Sequence, residues 1–382
     1  LAPGHKWASF PSMALAWRLD QENFLKDVNW LSQLKLRLGF GITGNAAIAA
    51  YATKGAITGL YYNWGQTDSS LGYVPSDPSA KDPAKMANQD LGWEKTTQYN
   101  VGIDYGFFNN RLSGSIDAYK TKTNDLLLGM TIPSLTGYTS TYANVGKTSG
   151  WGIDLQVNAI PVQTKDFSWN TTFNISHNKN EIVTLDGMQT EIISGTQIRK
   201  VGKSYRTFYM IEFAGINPET GAPQFYTNDL DENGNYIKEI TEKYSEANAI
   251  VLDKHAEPNV IGGLSNTLRY KWFDLNFMFS YQFGGYSYDN WAQKTEHGGN
   301  DLEANIPTYY RDSWKQPGDI TKYELFIESP DVAMNKSTTT RRLHSSDFIR
   351  LKTLTFGITL PQVWTQKIGV NNVRVYASAN NL

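Results

Sequence analysis

Hydrophobic and polar residues alternate one for one along Phe273–Phe283. Phe273, Leu275, Phe277, Phe279, Tyr281 and Phe283 fall on one face, and Asp274, Asn276, Met278, Ser280 and Gln282 on the other. Side chains of a strand point alternately to its two faces, so this is one greasy face and one mostly polar face. The preceding stretch Gly262–Tyr270 alternates more weakly, with Leu264, Leu268 and Tyr270 against Ser265, Thr267 and Arg269. Lys271–Trp272 is predicted to turn between them. About eleven residues at roughly 3.3 Å each span some 35 Å, which crosses a bilayer core at a steep tilt. A soluble strand averages about half that length.

The pattern recurs along the whole chain. Strands are predicted over Ser12–Leu19, Gln33–Thr43, Tyr99–Phe108, Leu112–Lys120, Trp151–Ala159, Phe167–His177, Tyr205–Phe213, Gln224–Thr227, Phe348–Leu360 and Val373–Ala379. Leu34, Leu36, Leu38, Phe40 and Ile42 oppose Lys35, Arg37, Gly39, Gly41 and Thr43; the inward row of Phe167–His177 is small and polar throughout. Phe348–Leu360 slips phase, which predicts a bulge near Lys352–Thr353. With the hairpin at 262–283 this makes about twelve strands. Connections alternate in length: 20–31, 109–111, 161–166, 214–222, 271–272 and 361–371 are short, while 44–94, 121–147, 178–205, 229–259 and 284–345 are long. Outer-membrane barrels have short periplasmic turns and long extracellular loops. A soluble sandwich has no reason to keep that parity. The fold class expected is therefore all-β, an antiparallel transmembrane β-barrel with an apolar face to lipid and a polar face to the lumen.

Composition adds exclusions. The 382 residues carry a net charge of −2, which offers no basic stripe for nucleic acid. No run approaches the roughly 18 apolar residues of a spanning helix, a test that a β-barrel escapes because its lipid-facing residues are diluted one in two. Aromatics reach 13%, suiting interfacial girdles and equally a sugar-binding protein. The absence of cysteine removes disulfide staples and thiolate metal sites. The start, LAPGHKW, has no signal-peptide pattern, though an exported mature chain would have lost one.

Five stretches, in order, resemble the SusC/RagA-like branch of TonB-dependent outer-membrane transporters. They are Phe10–Phe24 with Leu34–Asn45, Leu91–Leu128 (LGWEKTTQYNVGIDYGFFNNRLSGSIDAYKTKTNDLLL, the most specific), Asn144–Asn158, Asn266–Gly285, and Ile349–Pro361 with Val373–Leu382. The resemblance is to the C-terminal part of such a transporter, without its N-terminal domain, TonB-binding segment or plug. The chain is thus expected to form about twelve strands of a barrel of roughly 22. What the resemblance implies is import of oligosaccharides or peptides across a Gram-negative outer membrane, energised by the TonB complex, with a SusD-like surface lipoprotein as lid. A siderophore or cobalamin receptor of the same fold is one alternative; a soluble β-rich carbohydrate-binding protein or glycoside hydrolase is another, from a different class.

No catalytic constellation emerges, and no enzyme activity or cofactor is expected. The five histidines are scattered without metal-ligand spacing. Asp229, Asp231 and Asn233 share the early spacing of a calcium loop, but position 12 is Ile240, so a polar turn is the better expectation. The ligand or lid contacts expected are aromatic residues of the two longest loops: Tyr61, Tyr62, Trp64, Trp291, Tyr309, Tyr310 and Trp314. Flat rings stack on sugars and bury peptide side chains; the competing expectation is that they pack the loops. The inward Arg37, Asp104, Asp117 and Asp154 are expected to pair with plug residues.

Overall fold

The computed structural model describes residues 1–48, 53–54, 58–63, 69–74, 85–133, 135, 138, 140–185, 190–296, 298–299, 303, 305–326 and 338–382; side chains of 58–63, 69–74, 85 and 131 are outside that description. Ten strands form one sheet. They are β1 Ser12–Arg18, β2 Leu31–Asn45, β3 Glu94–Phe107, β4 Leu112–Asn124, β5 Lys147–Gln163, β6 Phe167–Thr184, β7 Val260–Tyr270, β8 Phe273–Phe283, β9 Phe348–Thr359 and β10 Arg374–Asn380. Each lies beside its sequence neighbour, so the sheet is an up-and-down meander. The turn between β3 and β4 uses residues that tolerate left-handed backbone, Asn109 and Asn110 with φ of 55° and 60°, while Lys271 takes the same region at 51° without that side-chain advantage. Ile349 and Phe356, which differ in parity along β9, are both exposed, and the β9–β10 register runs unbroken from Thr353 to Thr359.

Two predicted strands do not join this sheet. Thr207–Ile211 and Pro223–Tyr226 belong to separate four- and three-stranded sheets. Thr207, Phe208, Met210 and Ile211 are all buried, so this strand is covered on both faces and presents no row to lipid. The connection from β6 to β7 is therefore a single long one, 185–259. Removing a pair of strands leaves the long-short parity intact.

Register aligns the outward side chains into rows. One runs Trp17, Leu36, Ile103, Ile116, Leu155, Ile175 across six strands, and the next Leu15, Leu38, Val101, Ala118, Ile153, His177. Leu15, Leu38, Val101, Ile103, Ile116 and Ile153 are all exposed. A contiguous apolar surface of this kind is unsuited to water and suited to lipid. Aromatic rings border it. Phe40–Tyr99 (5.3 Å) and Trp151–His177 (5.2 Å) mark one edge, and Trp30–Phe107 (5.6 Å) the other. Eight positions from Tyr99 to Phe107, at roughly 3.3 Å each and ~40° tilt, give about 20 Å along the membrane normal, near the ~25 Å band of such barrels.

The inward rows are polar, and the charges of Arg37, Asp104 and Asp117 pair within the sheet itself. Arg37 bridges Asp104 at 2.7 Å and Asp117 at 2.9 Å, and Asp154 accepts from Ser176. Arg37 and Asp117 lie on β2 and β4, with Gly102 of β3 directly between them. A Cβ there would collide with the Asp117 carboxylate and sit 2.8 Å from the Arg37 guanidinium carbon. The missing side chain is what lets the two charges meet across an intervening strand. Gly357 plays the same part for Asp274 and Arg374, which pair at 2.6 Å.

By internal contacts the chain divides into two compact units. The first, Leu1–Thr190, Gly262–Phe279 and Leu351–Leu382, holds most of the sheet. The second, Glu191–Ile261 and Ser280–Arg350, has a hydrophobic core of Phe208, Met210, Ile250, Leu252 and Leu343, with Tyr286 and Tyr288 packed against it.

Gly102→Val is expected to destabilise the folded sheet by about 1–3 kcal/mol through overpacking. The double variant with Asp117→Ala is expected to recover part of that loss, because the carboxylate that the new side chain strikes is gone. Unfolding followed by heat-dependent gel mobility checks both.

Candidate functional site

The second unit builds its centre from loop residues. Tyr309 and Tyr310 leave a short 3₁₀ turn, Thr308–Asp312, while Arg341 and Arg342 leave another, Thr340–Arg342. Two glutamates join these neighbouring pairs. The Tyr310 hydroxyl donates to Glu324 at 2.9 Å, and Arg341 donates to the other oxygen of the same carboxylate. The Tyr309 hydroxyl donates to Glu296 at 2.9 Å, and Arg342 donates to Glu296 at 3.2 Å. Glu324 is fully buried and Arg342 nearly so. Tyr323 stacks on Tyr309 at 5.0 Å and lies 4.9 Å from Tyr310; the Arg341 guanidinium covers Phe213 at 5.3 Å. A buried charge is tolerable only when paired and hydrogen-bonded, and here each glutamate and arginine is both.

Burial shifts the titrations in this cluster. It raises Tyr310 far above the ordinary tyrosine range, with the Glu324 charge adding to the effect. It also pushes Tyr309 up to about 12, helped by the hydrogen bond to Glu296. Burial alone would lower Arg341, but Glu324 and Tyr310 outweigh it and the guanidinium is held above its usual value.

A cavity of about 410 Å³ opens beside the cluster, lined among others by Phe213, Ile216, Lys322, Tyr323, Arg341 and His344. Its wall is apolar and aromatic, and the arginines on it are already paired with Glu324 and Glu296, which suits a ligand with a planar or apolar body.

The structure sorts the predicted ligand aromatics. Trp291 is 75% exposed, with the Lys294 ammonium 5.1 Å from its ring centre, and Tyr309 is 41% exposed. Tyr310 and Trp314 are buried, and the Trp314 indole donates to the Pro218 carbonyl at 2.8 Å. These two rings are packing residues of the unit, not stacking faces for a ligand, because no face is left open. Tyr61 and Tyr62 lie on Thr58–Asn63, paired with Ser69–Val74, and their side chains are outside the described residues; Trp64 lies outside them altogether. Sequence reasoning missed Glu296, Tyr323, Glu324, Arg341 and Arg342. The Arg-Arg doublet inside an aromatic-rich loop was the available signal.

The Asp229–Asn235 segment is a hairpin turn. Asp231 accepts from the backbone N–H groups of Asn233 (2.9 Å) and Asn235 (2.7 Å) and from the Asn235 amide (3.1 Å), while Asp229 accepts from Asn248. The Asn235 bonds lower the Asp231 pKa. Its carboxylate thus organises the turn from within.

A meander sheet with an apolar outer face, aromatic borders and a charge-paired inner face defines the class of outer-membrane β-barrels. The model for the TonB dependent receptor-like β-barrel family matches residues 3–382, and the chain belongs to that family, in its SusC-like branch. It is 32% identical over 392 residues to TonB-dependent receptor P3 of Formosa agariphila, and 32% identical over 399 residues to TonB-dependent receptor SusC of Bacteroides thetaiotaomicron; each alignment covers 99% of this chain and 37% of the relative. The solved structure of the RagAB peptide transporter matches with a TM-score of 0.78 at 30% identity, over 98% of this chain and 39% of that one. The chain thus spans about two-fifths of the length of these relatives.

Glu324→Ala leaves Arg341 buried without its carboxylate and is expected to cost about 3–5 kcal/mol in the second unit. Limited proteolysis of the 284–347 loop reads that loss. Raising the pH is expected to loosen the same cluster. An unfolded tyrosine releases its proton near pH ~10, earlier than Tyr309 at about 12. The stability this group contributes is therefore complete below pH ~10 and is lost as pH climbs toward the folded value. Phenolate absorbance and proteolytic sensitivity followed together across that window check the sign.

Proposed function

We propose that this chain is the C-terminal barrel portion of a TonB-dependent importer that carries oligosaccharides or peptides across the outer membrane. The observation that carries this reading is the match to the RagAB peptide transporter over 98% of the chain, on a sheet with one lipid-facing side and one charged side. SusC and RagAB relatives support the substrate class and a SusD-like surface lipoprotein as partner. Energy comes from the TonB complex, acting through segments of the full-length protein outside this chain. The chain itself forms part of the wall and the loops on the long-connection side, and no catalytic role is assigned to it.

The exposed Trp291 and Tyr309 are the ligand or lid contacts in this reading, since their rings retain an open face. The cavity at Phe213 and Arg341 is a second place for ligand groups.

The double variant Trp291→Ala/Tyr309→Ala in the full-length protein is expected to raise the ligand concentration for half-maximal uptake about tenfold, as loss of interface aromatics does. Tyr310 stays in place, and limited proteolysis of the 284–347 loop controls for the Glu296 hydrogen bond that the Tyr309 change removes. Uptake of a labelled glycan and a labelled peptide pool, with affinity capture of the lipid-anchored partner, measures this. Unchanged uptake with the partner retained would remove these rings from the site.

A further inference from the structure

The outward face of the sheet is not uniformly apolar. At the ends that carry the long connections, Lys95 of β3, Lys120 and Lys122 of β4, Lys147 of β5 and Lys179 of β6 replace the aliphatic rows. Their register places them together. Lys120 and Lys179 flank Trp151 in one row, which continues through Tyr99 and Phe40. Lys122 stands one outward position higher, level with Ser149 and Glu181. Lys95 and Lys147 flank Asn124 one step higher again. At about 4.8 Å between strands and roughly 7 Å between alternate residues, the lysines of β4, β5 and β6 share a patch on the order of 10 by 14 Å, with Lys95 one strand beyond it.

All of these lysines are exposed. Ion pairs among the described residues hold Lys35, Lys200, Lys203, Lys238 and Lys243, for example, but none of the patch lysines. Glu181 is the acidic side chain on the same outward rows. The opposite ends of the strands differ: their outward row of Leu34, Tyr105, Gly114, Val157 and Phe173 carries no charge.

A lysine on a lipid-facing strand position is costly at mid-membrane and nearly free at the interface, where its stem lies along the apolar surface and its ammonium reaches the headgroups. Several unpaired ammonium groups within one small patch still repel one another unless an anion joins them. The occupant must be anionic at the height of Lys120 and Lys179, and apolar one row below, where Val101, Ala118 and Ile153 face outward.

We propose that this patch is a binding site for a phosphate-bearing anionic lipid of the leaflet on the long-loop side, with phosphates held by Lys120, Lys122, Lys147 and Lys179 and acyl chains along the apolar rows beneath. Trp151, 43% exposed between Lys120 and Lys179, marks the boundary between headgroup and chains. The site rests on the sheet and its register; it does not depend on which ligand the protein imports.

The test uses the full-length protein in detergent, offered bisphosphorylated lipid A or its dephosphorylated form. Native mass spectrometry reads the bound fraction. The wild type is expected to retain the bisphosphorylated lipid and not the dephosphorylated one. Each Lys→Gln change among the four is expected to weaken retention roughly fivefold, the effect of removing one basic group beside an anionic surface. Lys238→Gln and Lys243→Gln, on the second unit, are expected to leave it unchanged. Heat-dependent gel mobility confirms folding, and single Lys120→Gln and Lys122→Gln variants serve if a variant with all four lysines changed to Gln does not fold. Equal retention by wild type and variants, or equal retention of the dephosphorylated lipid, would overturn the proposal. Displacement of the lipid by millimolar inorganic phosphate alone would make this a free-phosphate site, and loss of an acidic protein partner with lipid retention unchanged would make it a protein interface; either result overturns it.

Discussion

Hydrocarbon offers no hydrogen bonds, and that single condition shapes this chain. Every backbone N–H and C=O placed in lipid must find a partner within the protein. A meander of neighbouring antiparallel strands meets the demand at each internal position, and here β1 to β10 pair in simple chain order. Pairing then sets register, and register sets which side chains share a row. The apolar rows through Leu36 and Leu38, the aromatic borders and the lysine patch follow from that sequence of constraints. A one-residue slip between β2 and β3 would turn Arg37 toward lipid and Leu36 toward the lumen.

The inner face obeys a different condition. Lumen charges need water or partners, and Arg37 has both Asp104 and Asp117. The partner on β4 is reachable because Gly102 presents no side chain between them. Charge pairing across a glycine thus ties three strands through side chains in addition to the backbone ladder. Its repetition at Asp274, Gly357 and Arg374 shows that the same local solution serves two places on one sheet.

The second unit solves the problem of long connections. A loop of sixty residues is ordered only if it buries enough to offset the entropy of fixing it. Phe208, Met210, Ile250, Leu252 and Leu343 supply an apolar core, and the tyrosine–glutamate–arginine cluster supplies a polar one. Aromatic residues are divided between these tasks and the surface. Tyr309 and Tyr310, adjacent in sequence, end with one ring partly open and the other buried. No rule of composition distinguishes them; the direction of a short 3₁₀ turn does.

Strand positions, the inward and outward faces, the tight turns at Asn109–Asn110 and Lys271, and the family were legible in the sequence, because alternation, turn chemistry and motif order are local properties. Sequence also supported a pair of strands at 205–227 that the sheet excludes. The parity of connection lengths is blind to such a pair, and burial on both faces, which disqualifies it, is a property of packing. Which charges meet was equally beyond local reading: Arg37 and Asp117 are far apart in the chain, and Gly102 means nothing until β2, β3 and β4 lie side by side. The Glu296–Arg342 and Glu324–Arg341 pairs, and the clustering of the patch lysines, belong to the same class. The sequence by itself determined the period, the faces and the membrane class, since each depends on neighbours along the chain. Only the tertiary structure decided the partners, since a partner is chosen by register and burial between segments that sequence leaves distant.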